Sequence, residues 1–330
     1  CSESSWPDCT WKILMYPRKP FFRFGIPGKL ARLVFFSLIG VIKKFDFVFT
    51  RQEELAVLSF LFGKKVVLEI HEIETFRYPL ILKILARLSF INRIFFIIIS
   101  NSGKRKLKEY GIDEKRIHVA PSAVRLQDYT GLEPKAQSLK SNPLLPNKPI
   151  LMFCGNLYRD RGIEDLLQAM IYLPDVNLVL VGGQDVDIEH YRALAGELGI
   201  DNVSFTGFVP HKKVPVYLSL ADFLIMPYPD NTKIKADTSP LKMFEYMASG
   251  KPIITSDMPI LREVLVEGQN AYFVEQDSPE AIVGGVNWMI NNPGEAEKLG
   301  KNAAIDVKNF SWEARVKNIL TWLNKETGTP

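Results

Sequence analysis

Cysteine and histidine are scarce in this chain: 330 residues hold three cysteines (Cys1, Cys9 and Cys154) and four histidines. Three cysteines can neither build a disulfide scaffold nor fill a four-ligand zinc site, and the histidines show no paired metal spacing. The same scarcity points to a reducing compartment, so a cytoplasmic protein is expected. Long apolar runs are missing too. The longest, Leu33 to Ile42, falls short of the roughly 18 residues of a membrane-spanning helix and lacks signal-peptide flanks. There is no Walker loop and no Ser nucleophile elbow. A Gly-x-Gly-x-x-Gly fingerprint is also absent, which argues against a dinucleotide dehydrogenase. No repeat recurs at solenoid periods.

What is present is ordinary globular material, 47% hydrophobic and 24% charged, of a length that suits two domains. The net charge of +4 conceals an asymmetry. Residues 1–147 hold 24 of the 41 basic and 13 of the 37 acidic residues, a net of +11; residues 148–330 carry a net of −7. A basic half joined to an acidic half predicts two domains with different partners, divided at 147/148.

The acidic half alternates short apolar runs with helical stripes. Pro149–Cys154, Asn177–Val181, Val203–Thr206, Asp222–Met226, Pro252–Thr255 and Ala271–Val274 read as strands. Ile163, Leu166, Leu167 and Met170 make the i, i+3, i+4, i+7 stripe of a helix between the first two. The basic half shows the same alternation less completely, with strands at 45–49, 65–70, 94–99 and 116–120. Residues 131–148 read as domain edge and linker. The fold class expected is α/β, two Rossmann-like doubly wound domains, with ligands just beyond the carboxyl ends of strands. The last helix, Trp312–Asn324, is expected to cross back to the first domain.

The segment KADTSPLKMFEYMASGKP, Lys235 to Pro252, is the most informative. Ser239 and Pro240 form an N-cap and first-turn pair, Gly250 suits the C-terminal end, and Pro252 stops the helix. The stripe Leu241, Phe244, Glu245, Ala248 then puts a carboxylate on a core-facing position, which is costly unless it is paired or hydrogen-bonded. A neighbouring backbone group or Arg that satisfies it is the plainer reading; a polar ligand in a cleft is the sharper one. The helix start favours an anion, and Lys242 adds a cation in its first turn. Asp237 precedes Glu245 by eight residues. Carboxylates suit sugar hydroxyls, and N–H groups with Lys suit a diphosphate.

The run SPLKMFEYMASGKPII resembles the signature of the retaining glycosyltransferases of family 4, also called glycosyl transferases group 1, which have the GT-B architecture of two Rossmann-like domains across a cleft. Asp237 and Glu245 match the spacing of that family's Glu-x7-Glu motif, with Asp at the first position as a departure. The resemblance implies that Glu245 binds the donor ribose, that Asp237 lies near the donor sugar, and that backbone groups of Ser239, Pro240 and Leu241 hold the diphosphate beside Lys242. GNLYRDRG resembles the family's phosphate loop at Gly155, with Arg161 in place of the usual Lys and Asn156 in place of the usual Arg. Arg159 and Arg161 read equally well as solvated surface charge. FTGFVP resembles its base-binding loop, with Phe208 at the nucleobase; a plain strand-to-helix turn fits as well. His71, in EIHE, is implied to face the donor sugar; a satisfied structural histidine is the alternative. Asp185-Val186-Asp187 looks like a metal motif but reads as a loop, and the family generally needs no metal.

The activity implied is transfer of a sugar from a nucleotide-diphosphate sugar to an acceptor hydroxyl with retention, metal-independent and without a further cofactor, in polysaccharide or glycolipid assembly. Partners expected are the nucleotide sugar, a saccharide or lipid-linked acceptor, and not nucleic acid. Arg77, Lys83, Arg87, Arg93 and the cluster Lys104, Arg105, Lys106, Lys108 suit an anionic membrane surface, hence peripheral contact with the inner face of the plasma membrane. A solvated charged face is the alternative. An impaired GT-B binding protein and a nucleotide-sugar epimerase of GT-B architecture remain as other readings. The family's opening strand and Gly-rich loop are not found in the first residues, so the first domain is expected to lack its beginning.

Overall fold

The computed structural model describes residues 3–6, 9–12, 47–71, 73, 79–88, 91, 93–132, 148–232 and 238–328. The chain divides into two compact units, residues 1–68 and 69–330. That division falls inside a strand, whereas the boundary expected at 147/148 adjoins residues outside the described set. The first unit contains an antiparallel pair, β1 (Glu3–Trp6) and β2 (Cys9–Lys12). It also contains β3 (Phe47–Thr50), α1 (Glu53–Leu61) and most of β4 (Lys65–Ile70), with Phe47 to Thr50 parallel to Lys65 to Leu68.

The second unit opens with the last residues of β4, then α2 (Pro79–Leu88), β5 (Ile94–Ile98), α3 (Asn101–Glu109) and β6 (Ile117–Val119). β5 is fully buried, as its uninterrupted apolar run requires, and pairs in parallel with β6. The elements that follow are β7 (Ile150–Cys154), α4 (Ile163–Met170), β8 (Asn177–Val181), α5 (Asp185–Glu197), β9 (Val203–Phe205), α6 (Val214–Leu220) and β10 (Phe223–Met226). Then come α7 (Leu241–Ser249), β11 (Ile253–Ser256), β12 (Tyr272–Val274), α8 (Pro279–Asn291), α9 (Pro293–Asp306) and α10 (Trp312–Thr327).

Six of these strands form one all-parallel sheet in the order β12-β11-β10-β7-β8-β9. Read from the other edge, the order is third, second, first, fourth, fifth, sixth, the Rossmann arrangement, whose strand order reverses between β7 and β10. The sheet separates two cores. Met152, Leu224, Met226, Phe244 and Met247 pack on one face; Leu151, Phe153, Leu166, Leu180 and Ile225 pack on the other. Ligands of such sheets bind outside the carboxyl ends of the strands at the reversal, here just beyond Cys154 and Met226.

The last helix, α10, returns to the β5–β6 pair. Trp322 stacks on His118 of β6 with ring centroids 5.0 Å apart and meets Phe95 of β5 edge-on at 5.8 Å. A second tie comes from Glu263, whose carboxylate accepts from the backbone N–H groups of Asn101 (2.9 Å) and Ser102 (3.3 Å) and so sits on the positive end of α3. Among the described residues no helix is long and apolar enough to cross a membrane.

Candidate functional site

α7 starts one residue later than its sequence suggests. Pro240, not Ser239, is the N-cap residue, and its side chain makes no capping bond. The Ser239 hydroxyl is engaged elsewhere: it accepts from the backbone N–H of Ser122 at 3.0 Å, while the Ser122 hydroxyl donates to the Ser239 carbonyl at 2.9 Å. The buried stripe is also rotated. Met243, Phe244, Tyr246 and Met247 are buried, whereas Leu241 is 57% exposed and Glu245 lies at the flank of the stripe. The expected stripe of Leu241, Phe244, Glu245 and Ala248 is thereby corrected.

Tyr246 locks the helix to the strand that leads into Gly155. Its hydroxyl accepts from the N–H of Cys154, the last residue of β7, at 2.7 Å. One turn earlier on the same face stands Lys242. Its ammonium is buried, lies 3.9 Å from the Phe153 ring centroid and 5.5 Å from that of Tyr228, and has no hydrogen-bond acceptor among the described residues. Burial pushes its pKa down to about 7, and the nearby Arg161 charge adds to the effect. An orphaned buried ammonium is expensive.

Gly155 roofs this ammonium. A Cβ there would come within 2.8 Å of Lys242 Nζ, and its φ of 150° lies outside the range of ordinary side-chain-bearing residues. Arg161 is brought to the same place by a turn whose next residue, Gly162, has φ 70° and would put a Cβ 1.6 Å from the Pro227 carbonyl oxygen. The Arg161 guanidinium lies 5.9 Å from the Tyr228 ring centroid and pairs with Asp160 at 3.4 Å. Two cations therefore flank Tyr228 at the start of α7, beyond the sheet's reversal point.

Glu245 is satisfied by a partner that the sequence does not reveal. His211 Nε2 lies 2.7 Å from Glu245 Oε1, with His211 itself largely exposed. His211 follows the Phe208 loop closely, so the pair brings that loop to α7. Phe208 is 82% exposed, and Asn156 is exposed as well. Asp237 lies outside the described residues. His71, at the end of β4, stands in a separate cluster with Glu69 at 2.6 Å. Asp185 and Asp187 occupy the first turn of α5 rather than a loop, where acidic residues complement the helix dipole. In the basic cluster, Lys104 and Lys108 both pair with Glu114 at 2.8 Å, which holds that carboxyl at about 2. Beside Phe205 and Thr206, a cleft of about 250 Å³ is lined by Asp185, Ile188, Glu189 and Arg192.

The family description glycosyl transferases group 1 matches residues 135–306, just over half of the chain. The chain belongs to that family. The chain is 26% identical over 240 residues to an uncharacterized glycosyltransferase, MJ1069, of Methanocaldococcus jannaschii, covering 71% of this chain and 59% of the relative. It is 26% identical over 221 residues to the D-inositol 3-phosphate glycosyltransferase of Xylanimonas cellulosilytica, covering 64% and 52%. These matches span little more than half the length of the curated relatives. Anabaena HepE, solved in complex with UDP, superposes with a TM-score of 0.75 over 90% of this chain and 83% of its own, at 17% identity. The fold of this group 1 member is accordingly GT-B.

Proposed function

We propose that the protein transfers a glycosyl group from a nucleoside-diphosphate sugar to an acceptor hydroxyl, with retention of configuration and without a metal ion or other cofactor. The observation that carries this reading is the buried Lys242 ammonium beneath Gly155, without a hydrogen-bond acceptor among the described residues, with Arg161 beside it and the start of α7 next to it. A dianionic group placed there would meet two cations and free helix N–H groups, the arrangement that suits a diphosphate. Glu245, once separated from His211, is placed to accept from ribose hydroxyls, and Phe208 offers an exposed ring and backbone for the base.

The chemistry follows from charge. As the glycosidic bond to the diphosphate breaks, negative charge grows on the departing phosphate; Lys242, Arg161 and the α7 start stabilise it before any reorganisation is needed. The acceptor hydroxyl passes its proton to the departing phosphate, and His71 lines the sugar. UDP bound by Anabaena HepE and the phosphorylated acceptor of the Xylanimonas relative support a nucleotide donor and an anionic acceptor. The basic first half suits such an acceptor at the inner face of the plasma membrane, during polysaccharide or glycolipid assembly. Flotation with anionic liposomes tests that placement; no binding at low salt refutes it.

The donor reading is tested by incubating the protein with a panel of nucleotide sugars and measuring nucleotide release. One preferred donor is expected, with turnover lost in Glu245→Gln. Absence of binding to every donor refutes the reading, and an epimerised donor without nucleotide release would assign a different reaction.

A further inference from the structure

We propose that Glu69 and Arg315 are positioning residues that hold the His71 ring for the transfer step; the proposal rests on the function above. Glu69 is the penultimate residue of β4, and its side chain is only 10% exposed. Among the described residues it bridges Arg315 and His71. Arg315 Nη2 is 3.0 Å from Glu69 Oε1, and His71 Nε2 is 2.6 Å from the same oxygen.

Arg315 arrives from α10, 246 positions later in the chain, and its side chain is 9% exposed. The guanidinium is fixed on two further sides, by Nε to the Pro121 carbonyl at 2.8 Å and by Nη2 to the Ala120 carbonyl at 3.2 Å. These carbonyls belong to the loop after β6, so the fork has a defined plane rather than the mobility of a surface pair.

A buried ion pair is a poor source of net stability, since apolar side chains of the same volume usually serve as well. This one stands at the carboxyl end of a strand, where ligands of such sheets gather. What the pair does that apolar packing could not do is fix an imidazole. A carboxylate has no proton to give, so the proton it shares with His71 rides on Nε2. Nδ1 is then the ring atom left for a ligand, on a side chain that keeps 35% of its surface exposed. Removing the carboxylate frees the ring to rotate and to exchange tautomers.

The same loop makes a second connection. Ser122, next to Pro121, is the residue that grips Ser239 ahead of α7. His71 and the diphosphate cradle are therefore joined through Glu69, Arg315, the Ala120–Ser122 backbone and Ser239.

The full chain with nitrogen-15-labelled histidine gives four side-chain signal sets, and Glu69→Gln, Arg315→Met and Arg315→Lys are compared with the parent. Expected in Glu69→Gln are a shift of the His71 ring nitrogens toward a mixed tautomer, unmoved His190 and His211 signals, and a fall in kcat of tenfold or more. The Kd for UDP, GDP or ADP, whichever the parent binds, should stay within twofold. Arg315→Lys should recover part of the rate lost in Arg315→Met. Unchanged His71 signals in Glu69→Gln, or a loss of nucleotide affinity equal to the loss of kcat, overturn the proposal. If Arg315→Met does not fold, the Glu69→Gln spectrum and rate decide alone. A parent that releases nucleotide from no donor overturns the proposed function instead; the ring spectra still decide whether His71 is held.

Discussion

Replacing Lys242 by Met removes a buried ammonium from which no described residue accepts and leaves an apolar side chain of similar length. An unfolded lysine titrates near 10.5, and in the folded protein burial and the Arg161 charge bring this one to about 7. At about 1.4 kcal/mol per pH unit, a gap of about 3.5 units is a penalty of about 5 kcal/mol on the folded state. It is present in full below about pH 7, where both states hold the proton. It fades as pH rises from about 7 to about 10.5, because there the unfolded chain still binds a proton that the folded one has released. Lys242→Met should therefore be more stable than the parent by several kcal/mol at pH 7. Its lead should shrink by about 2–3 kcal/mol between pH 7 and pH 9. Urea denaturation at pH 7, 8 and 9 measures it. Binding should move the opposite way. Losing a charge-assisted contact of about 1.5–3 kcal/mol weakens nucleoside-diphosphate binding by roughly 10- to 100-fold. In the parent alone, Kd should rise with pH above about 7 as the free protein loses the ammonium. A stability lead that is the same at all three pH values, or undiminished nucleotide affinity in the Met variant, refutes the reasoning.

Three further outcomes follow from named contacts. Gly162→Ala forces a Cβ to within 1.6 Å of the Pro227 carbonyl at φ 70°, so a loss of about 3 kcal/mol or outright misfolding is expected by chemical denaturation. Tyr246→Phe strands the buried Cys154 N–H and should cost about 1–3 kcal/mol, read in the same way. Ser122→Ala cuts the hydroxyl bond to the Ser239 carbonyl. Nucleotide Kd should rise several-fold by calorimetry, while the His71 ring signals stay in place.

The strands were the most legible part of the chain. Apolar runs such as Ile150–Cys154 and Leu178–Val181 sit in the middle of a parallel sheet, where both faces are covered and apolar side chains are favoured on each. The helix α7 was legible in place but not in phase. Its sequence has apolar residues on more than one face, and the buried set is Met243, Phe244, Tyr246 and Met247 rather than the stripe through Leu241 and Glu245. Ser239 looked like a cap because its residue type favours one, yet Ser122, 117 positions away, claims its hydroxyl. The same kind of distance hid the Tyr246–Cys154 bond and the Arg315–Glu69 pair, which local patterns do not encode. The Gly-Gly pair before Asp185 and Asp187 suggests a loop, whereas the two residues open a helix. The charge of Lys242 at a helix start is legible in the sequence; that its ammonium is buried without an acceptor among the described residues depends on Phe153, Gly155 and Tyr228 closing around it.

The return of α10 also sets an order of events during synthesis. Phe95 and His118 are made about 200 residues before Trp322, the side chain that covers them. At roughly 5–20 residues per second a ribosome needs on the order of 10–40 s to cross that interval. For that time the edge of β5 and β6 is present without its lid, and the Glu69 carboxylate without its guanidinium. Nascent chains arrested before residue 312 should therefore be more open to protease at residues 94–119 than chains arrested beyond residue 327. The β5–β6 pair is thus made early and covered late.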